Sequence, residues 1–138
     1  MDEQPGPPAR RGSWPLTGLD GTLGQARGHT RRFLEEPGPP PPLPSVQDAL
    51  VLVVELVSNA VRHAPGPCVL GLCLEGRLLR ISVSDTSSSL PEPRTADLDG
   101  DGGGFGWHLL HTMADRLEIE HHGGRGKTVT AVLTLRPH

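Results

Sequence analysis

The stretch from Ser45 to His63 constrains this chain more than any other. Val46, Ala49, Leu50, Val53, Val54, Leu56, Val57, Ala60 and Val61 recur at α-helical spacing and form a broad apolar surface. An arc that wide needs a large cover, and a sheet supplies one. Ser45 followed by Asp48, after Pro44, reads as a variant capping box that opens the helix, and Pro65 with Gly66 stops it. Asp48, Leu52, Glu55, Asn59, Arg62 and His63 recur every three or four residues and so line one stripe on the other side.

The cover comes from strands elsewhere in the chain. Cys68–Leu74 and Leu78–Asp85 read as an antiparallel hairpin around the Glu75, Gly76, Arg77 turn. In its second arm Leu79, Ile81 and Val83 share a face with Asp85, which puts a carboxylate at the end of an apolar row. Leu117–His121 and Lys127–Leu135 form a second strand pair around a GGRG turn, with Val129, Ala131, Leu133 and Leu135 on one face. Ser13–Leu16 reads as a short edge strand and Gly21–Glu36 as a helix with apolar Leu23, Ala26, Phe33 and Leu34. A third helix spans Phe105–Arg116, with Leu109, Leu110, Met113 and Leu117 spaced for burial. Strands that pair antiparallel, with helices needing cover on one side, predict an α+β fold: a two-layer sandwich with a mixed, mainly antiparallel sheet and its helices on one face.

Composition narrows the class further. A chain of 138 residues suits one domain. Its 18 glycines and 15 prolines approach the level of a disordered chain, but they cluster. Residues 1–12 read as a disordered tail, 37–44 as a polyproline II connector and 86–104 as a long loop, leaving 13–138 as one domain. The connector has the composition of an SH3 ligand, but a stiff spacer between two helices explains it more simply. A net charge of −3 and a pI near 6.1 argue against a nucleic-acid partner. No unbroken apolar run approaches the roughly 18 residues of a membrane span, and the amino terminus lacks the apolar segment of a signal peptide, so no membrane and a cytoplasmic location are expected. Cys68 and Cys73, five apart in a strand, point to opposite faces and should stay reduced.

Three groups of residues carry chemistry. Asn59 offers a neutral amide oxygen to Mg²⁺, an ion that keeps its waters and shares substrate phosphates; Glu55, one turn earlier, can deprotonate a hydroxyl. Alone, such a pair is an ordinary solvated helix face. Asp85, at the mouth of an apolar row, can accept a hydrogen bond from an exocyclic amine, but alone it equally forms a turn before Thr86 and Ser87. Gly102, Gly103, Gly104, Phe105 and Gly106 precede a helix, where small residues and free N–H groups suit phosphate oxygens. A hinge would look the same. No Gly-Lys-Ser or Gly-Lys-Thr makes this run a P-loop, and no strand leads directly into it as a dinucleotide fingerprint requires. Asp97, Asp99, Asp101 and Gly102 mimic the start of a calcium loop, but His108 stands where the bidentate glutamate belongs, which rules that site out.

Taken in order, ELVSNAVRHA (55–64), ISVSDTSSSLPEPR (81–94), GGGFGWHLL (102–110) and GGRGKTVTAVL (123–133) resemble the nucleotide boxes of the GHKL ATPase and kinase superfamily, which includes gyrase and histidine kinases. The small stand-alone branch is most similar: anti-sigma factor serine kinases and related actinobacterial regulatory ATP-binding proteins. The resemblance implies a Bergerat-type sandwich with ATP and Mg²⁺ beneath a lid formed by 86–104. It makes Asn59 the Mg²⁺ ligand, Glu55 the general base and Asp85 the acceptor for the adenine amine. Gly104 and Gly106 would lie against the phosphates, with Gly102, Phe105 and Leu109 in the same nucleotide site, and Thr128 would support the Asp85 end of the base pocket. Arg62 and His63 close the first box.

Ser87 falls in the nucleotide set at a position where many members carry glycine, and Trp107 stands where leucine is more usual. The lid is acidic at Asp97, Asp99 and Asp101, which weakens its attraction for a triphosphate. No acceptor histidine box or dimerisation helix pair precedes the domain, so a phosphate acceptor is expected on another protein. The resemblance implies a protein serine/threonine kinase acting on an anti-anti-sigma-like partner, with a sigma factor as a second partner and a homodimer as an open arrangement. A non-catalytic ATP-gated interaction module that regulates a transcription factor is the competing expectation. An α/β domain with no nucleotide is the third.

Overall fold

The computed structural model describes residues 9–36, 38–64, 66–85 and 103–137, with side chains in the last helix from His108 onward. Among the described residues, five strands and three helices follow in the order β1 (Arg10–Leu16), α1 (Thr22–Glu35), α2 (Leu43–His63), β2 (Cys68–Glu75), β3 (Leu78–Asp85), α3 (Gly103–Met113), β4 (Arg116–His121) and β5 (Lys127–Thr134). The sheet order is β1-β2-β3-β5-β4, and every neighbouring pair is antiparallel. The α+β sandwich expected from the sequence is therefore the fold, with a fully antiparallel sheet.

The apolar rows account for the layering. Leu70 and Leu72 on β2, Leu79, Ile81 and Val83 on β3, and Val129, Ala131 and Leu133 on β5 are buried together with Leu50, Val53, Leu56 and Val57 of α2. On the reverse side of the sheet Ser13, Gly71, Ser82 and Thr130 line a shallow cavity of about 620 Å³, bordered by Arg11 and Arg80. Among the described residues, helices thus cover one face only. Gly76, at the first position of the two-residue β2–β3 loop, has a φ of 63°, a conformation that favours glycine.

Several boundaries differ from the sequence reading, each for an identifiable reason. β1 begins at Arg10, inside the expected tail, because pairing with β2 continues to Arg10 opposite Leu74. Trp14 then stacks on His29 with ring centroids 5.1 Å apart and meets Phe33 edge-on, while Arg10 lies 4.3 Å over the Phe33 ring. Those contacts hold α1 to the strand. Leu23, expected in the core, is instead exposed at the start of α1.

α2 does not open at a serine cap. It starts at Leu43 with Pro42 as its N-cap and no side-chain cap; Pro44 lies in its first turn, where a missing N–H costs nothing. Ser45, 2% exposed, uses its hydroxyl to accept the backbone N–H of Arg136 at 2.8 Å. The stripe expected to be polar is also partly core, since Leu52 is fully buried. α2 packs on α1, on α3 and on the sheet, so it has no broad solvent side. It is the one helix among the described residues long and apolar enough to cross a membrane by length and composition, and 56% of that window is buried inside the protein.

α3 occupies Gly103–Met113, starting two residues earlier than expected and ending before Arg116, which opens β4. The 86–104 loop lies outside the described residues, apart from Gly103 and Gly104, which are helical.

Candidate functional site

Three ties orient the helices against the sheet. The Arg136 N–H on Ser45 holds the first turn of α2 near the end of β5, at the end of the sheet where Leu78 faces Thr134. At its other terminus α2 runs through Ala64 into β2, whose Val69 pairs with Ser84. α2 therefore travels from the Leu78 end to the Asp85 end, and Asn59 and His63 in its last turns arrive beside the terminus of β3. Immediately after α3, the Asp115 N–H donates to the Val132 carbonyl at 2.8 Å, and the Asp115 carboxylate accepts from the backbone N–H and the hydroxyl of Thr134 at 2.9 and 2.7 Å. The C-terminus of α3 is thus pinned at the Leu78 end. Lying against α2 and β4, α3 carries its N-terminus toward Asp85.

One end of the sandwich consequently collects the C-terminal turns of α2, the terminus of β3, the start of β5 and the N-terminus of α3. Asn59 is 8% exposed there and Asp85 6%. Glu55 and His63 are half-buried and Arg62 is exposed. Gly104, Phe105 and Gly106 belong to the first turns of α3 rather than to a loop ahead of it. The first four N–H groups of a helix lack intrahelical partners, so glycine amides themselves form this terminus. Leu109 is half-buried on α3, beside buried Leu110. Ser87 and Gly102 lie outside the described residues. Arg62, with Ser58 and Val61, lines an open cavity of about 930 Å³ against the β1–α1 connection.

Asp85 has a partner that the sequence reading missed. Lys127 stands directly opposite it in the β3–β5 register, with Nζ 2.9 Å from Oδ2 and both side chains almost fully buried. Sequence did hold a signal: alternation along β5 puts Lys127 on the face of Val129, Ala131 and Leu133, and a lysine on a buried face calls for a counter-charge. Which strand would supply it was not readable, because β3 and β5 are far apart in the chain.

Thr128, expected to support the Asp85 end of the pocket, turns to the opposite face of the sheet. Its hydroxyl lies 2.8 Å from that of Ser84 and 2.9 Å from His122 Nε2. The period of two along a strand leaves that place beside Asp85 to Lys127. Close by, Cys68 is buried and free, and burial, reinforced by the negative charge of Asp85, pushes its thiol pKa up. Cys73 is also free.

The donor set suits a metal that arrives with a phosphate ligand. No group of three or more His, Cys, Asp or Glu side chains able to hold a metal occurs among the described residues. A single amide oxygen on Asn59 is what Mg²⁺ needs from a protein when phosphates and waters fill its remaining positions.

The chain belongs to the histidine kinase-like ATPase domain family, whose model matches residues 18–133. Its fold is similar to that of a solved chain comprising the RsbU and RsbW domains of Rv1364c from Mycobacterium tuberculosis. The TM-score is 0.68 at 23% identity, covering 93% of this chain and 33% of that one. It is also similar to the histidine kinase domain of the Erythrobacter litoralis EL346 blue-light activated histidine kinase, with a TM-score of 0.52 at 21% identity, covering 83% of this chain and 59% of that one. The chain therefore spans less than two thirds of either. No curated protein matches it.

Proposed function

We propose that the protein binds Mg·ATP at the Asp85 end of the sandwich and uses it to phosphorylate a serine or threonine on a partner protein, in the manner of the small anti-sigma kinase branch of its family. The observation that carries this reading is the delivery of buried Asn59 to the sheet end where buried Asp85 terminates an apolar row. In this reading Asn59 holds Mg²⁺, which supplies charge neutralisation at the phosphates. Asp85 accepts a hydrogen bond from the adenine amine, the glycine amides at the start of α3 face phosphate oxygens, and Leu109, Phe105, His63 and Arg62 complete the surroundings of the nucleotide. The lid that the family resemblance implies over 86–104, with Ser87 and Gly102, lies outside the described residues but for Gly103 and Gly104.

Glu55 takes the proton from the acceptor hydroxyl as its oxygen bonds to the γ-phosphorus and the bond to the ADP oxygen breaks. The acceptor is an anti-anti-sigma-like protein, and a sigma factor is the second partner. Likeness to a chain containing an RsbW domain supports the fold of this branch; retention of Glu55 supports catalysis, since binding alone requires no base.

Calorimetry with Mg·ATP on the wild-type protein and on Asn59→Ala tests the site. Binding by wild type and its loss by at least about tenfold in the variant are expected; no binding by wild type at millimolar nucleotide overturns the reading. Phosphotransfer from labelled ATP to candidate partners tests the chemistry. Glu55→Gln should keep ATP affinity and abolish transfer, and undiminished transfer would remove Glu55 from the mechanism. A second reading, an ATP-gated interaction module without transfer, is favoured by the acidic run Asp97, Asp99 and Asp101. ATP-sensitive partner binding with no labelled product would establish it.

A further inference from the structure

We propose that the cavity at the Leu78 end of the sandwich binds a small amphipathic organic anion, a carboxylate or phosphate ester on an apolar body. The inference is independent of the nucleotide reading, whose site lies at the opposite end. The cavity measures about 480 Å³, within the roughly 300–1,000 Å³ of small-molecule sites. Three arginines line it, each from a different segment: Arg10 opens β1, Arg77 sits in the β2–β3 loop and Arg136 follows β5.

Strand pairing brings them together. Arg10 pairs with Leu74 beside that loop, and the Leu135 N–H donates to the Arg77 carbonyl at 2.7 Å, which sets Arg136 next to Arg77. The walls between them are apolar. Leu34 and Leu135 are almost fully buried, and Leu74, Pro39 and Pro41 add to the lining. No acidic side chain is among the described residues of this lining, and none of the three guanidinium groups makes an ion pair among the described residues.

A purely structural role accounts for one arginine of the three. Arg10 covers the Phe33 ring, 4.3 Å from its centroid. Arg77 makes one long hydrogen bond, donating from Nη1 to the Leu135 carbonyl at 3.4 Å, and the Arg136 side chain is exposed. Three like charges gathered at one apolar hollow repel one another, in a chain whose formal net charge is −3. An oxyanion removes that repulsion, because guanidinium groups hold carboxylate and phosphate through paired N–H donors. The leucines and prolines beside them cover a hydrocarbon body, whose burial adds the apolar part of the affinity. Neither half suffices alone: inorganic phosphate leaves the leucines wet, and an alcohol leaves the arginines unpaired.

Calorimetric titration of the full chain tests the inference, with octanoate and octyl phosphate as probes, each kept below its self-association range. Octanol and inorganic phosphate serve as the two halves. One amphiphile per chain is expected at a Kd below about 1 mM, at least about tenfold tighter than either half. A tighter octyl phosphate assigns the ligand to phosphate esters, and a tighter octanoate to carboxylic acids. Arg77→Gln and Arg136→Gln, both at exposed positions, should fold and should each weaken the tighter amphiphile about tenfold, the effect of one charge-assisted contact. The amphiphile should also raise the thermal midpoint of the wild type and not that of the double variant. No binding of either amphiphile at millimolar concentration overturns the inference, as does octanol binding as tightly as octanoate. Undiminished affinity in the double variant, or competition by Mg·ATP, would place the amphiphile elsewhere on the protein and equally overturn it.

Discussion

Arg136 donates its backbone N–H to the hydroxyl of Ser45 at 2.8 Å, joining two residues 91 positions apart. The bond fastens the first turn of α2 to the chain leaving β5. Because α2 enters β2 at its other terminus, this contact marks which end of the sheet receives Asn59. Direction of the helix and location of the site are the same fact.

Replacing Ser45 by alanine should therefore cost about 1–2 kcal/mol, the effect of removing a hydrogen-bond acceptor at a buried helix start. Urea denaturation measures it as a lower midpoint with an unchanged slope. Since Ser45 supplies no cap, the loss should not include melting of the first turn, and the helical circular dichroism of the native protein should be unaltered.

Gly18 holds the β1–α1 connection against the carbonyl of Gly66, where α2 passes into β2. Its φ is 78°, and a Cβ there would collide with the Gly66 oxygen. Gly18→Ala should destabilise by about 2 kcal/mol or more, combining the left-handed backbone penalty with displacement of the loop. Gly21→Ala, at φ 89° but with open space around it, should cost only the backbone part. Thermal denaturation of the two variants separates packing from conformation.

The Asp85–Lys127 pair predicts a large coupling. Either Asp85→Asn or Lys127→Met leaves one charge buried without its counter-charge and should cost about 3–5 kcal/mol, whereas the double variant should recover most of that loss. A double-mutant cycle by denaturant unfolding reads the coupling directly. Additive single effects would show that the two side chains do not stabilise one another.

Cys68 should resist thiol reagents at neutral pH while half-buried Cys73 reacts. Burial and the charge of Asp85 hold the Cys68 thiol protonated to higher pH than in the unfolded chain. The unfolded state thus gives up this proton first, so the contribution to stability is complete below the ordinary thiol pKa and declines as the medium becomes more alkaline. Ellman titration of native and denatured protein, repeated across the alkaline range, checks both statements.

Much of the fold could be read from local periodicity. The rows Leu79–Val83 and Val129–Leu133 alternate cleanly, and every strand and helix lies within a few residues of its expected place. The errors have a common origin. Ser45 looked like a cap because its nearest neighbours fit one, but Arg136 takes its hydroxyl from across the molecule. Leu52 looked like part of a polar stripe because its heptad neighbours are polar, and the packing of α1 and α3 on two flanks of α2 buries it. Arg10–Gly12 looked like tail because their own composition is polar, while the edge of β2 recruits them by backbone hydrogen bonding.

The residues of the site show the same division. Glu55, Asn59, Asp85 and the glycine run stand out in the chain because each sits in a distinctive local pattern, and side-chain direction along a helix or strand follows from φ and ψ alone. Their meeting at one end of the sandwich, and the substitution of Lys127 for Thr128 as the neighbour of Asp85, depend on strand order and register. Those are settled by which apolar rows bury one another across long loops, an energy that no short window of residues contains.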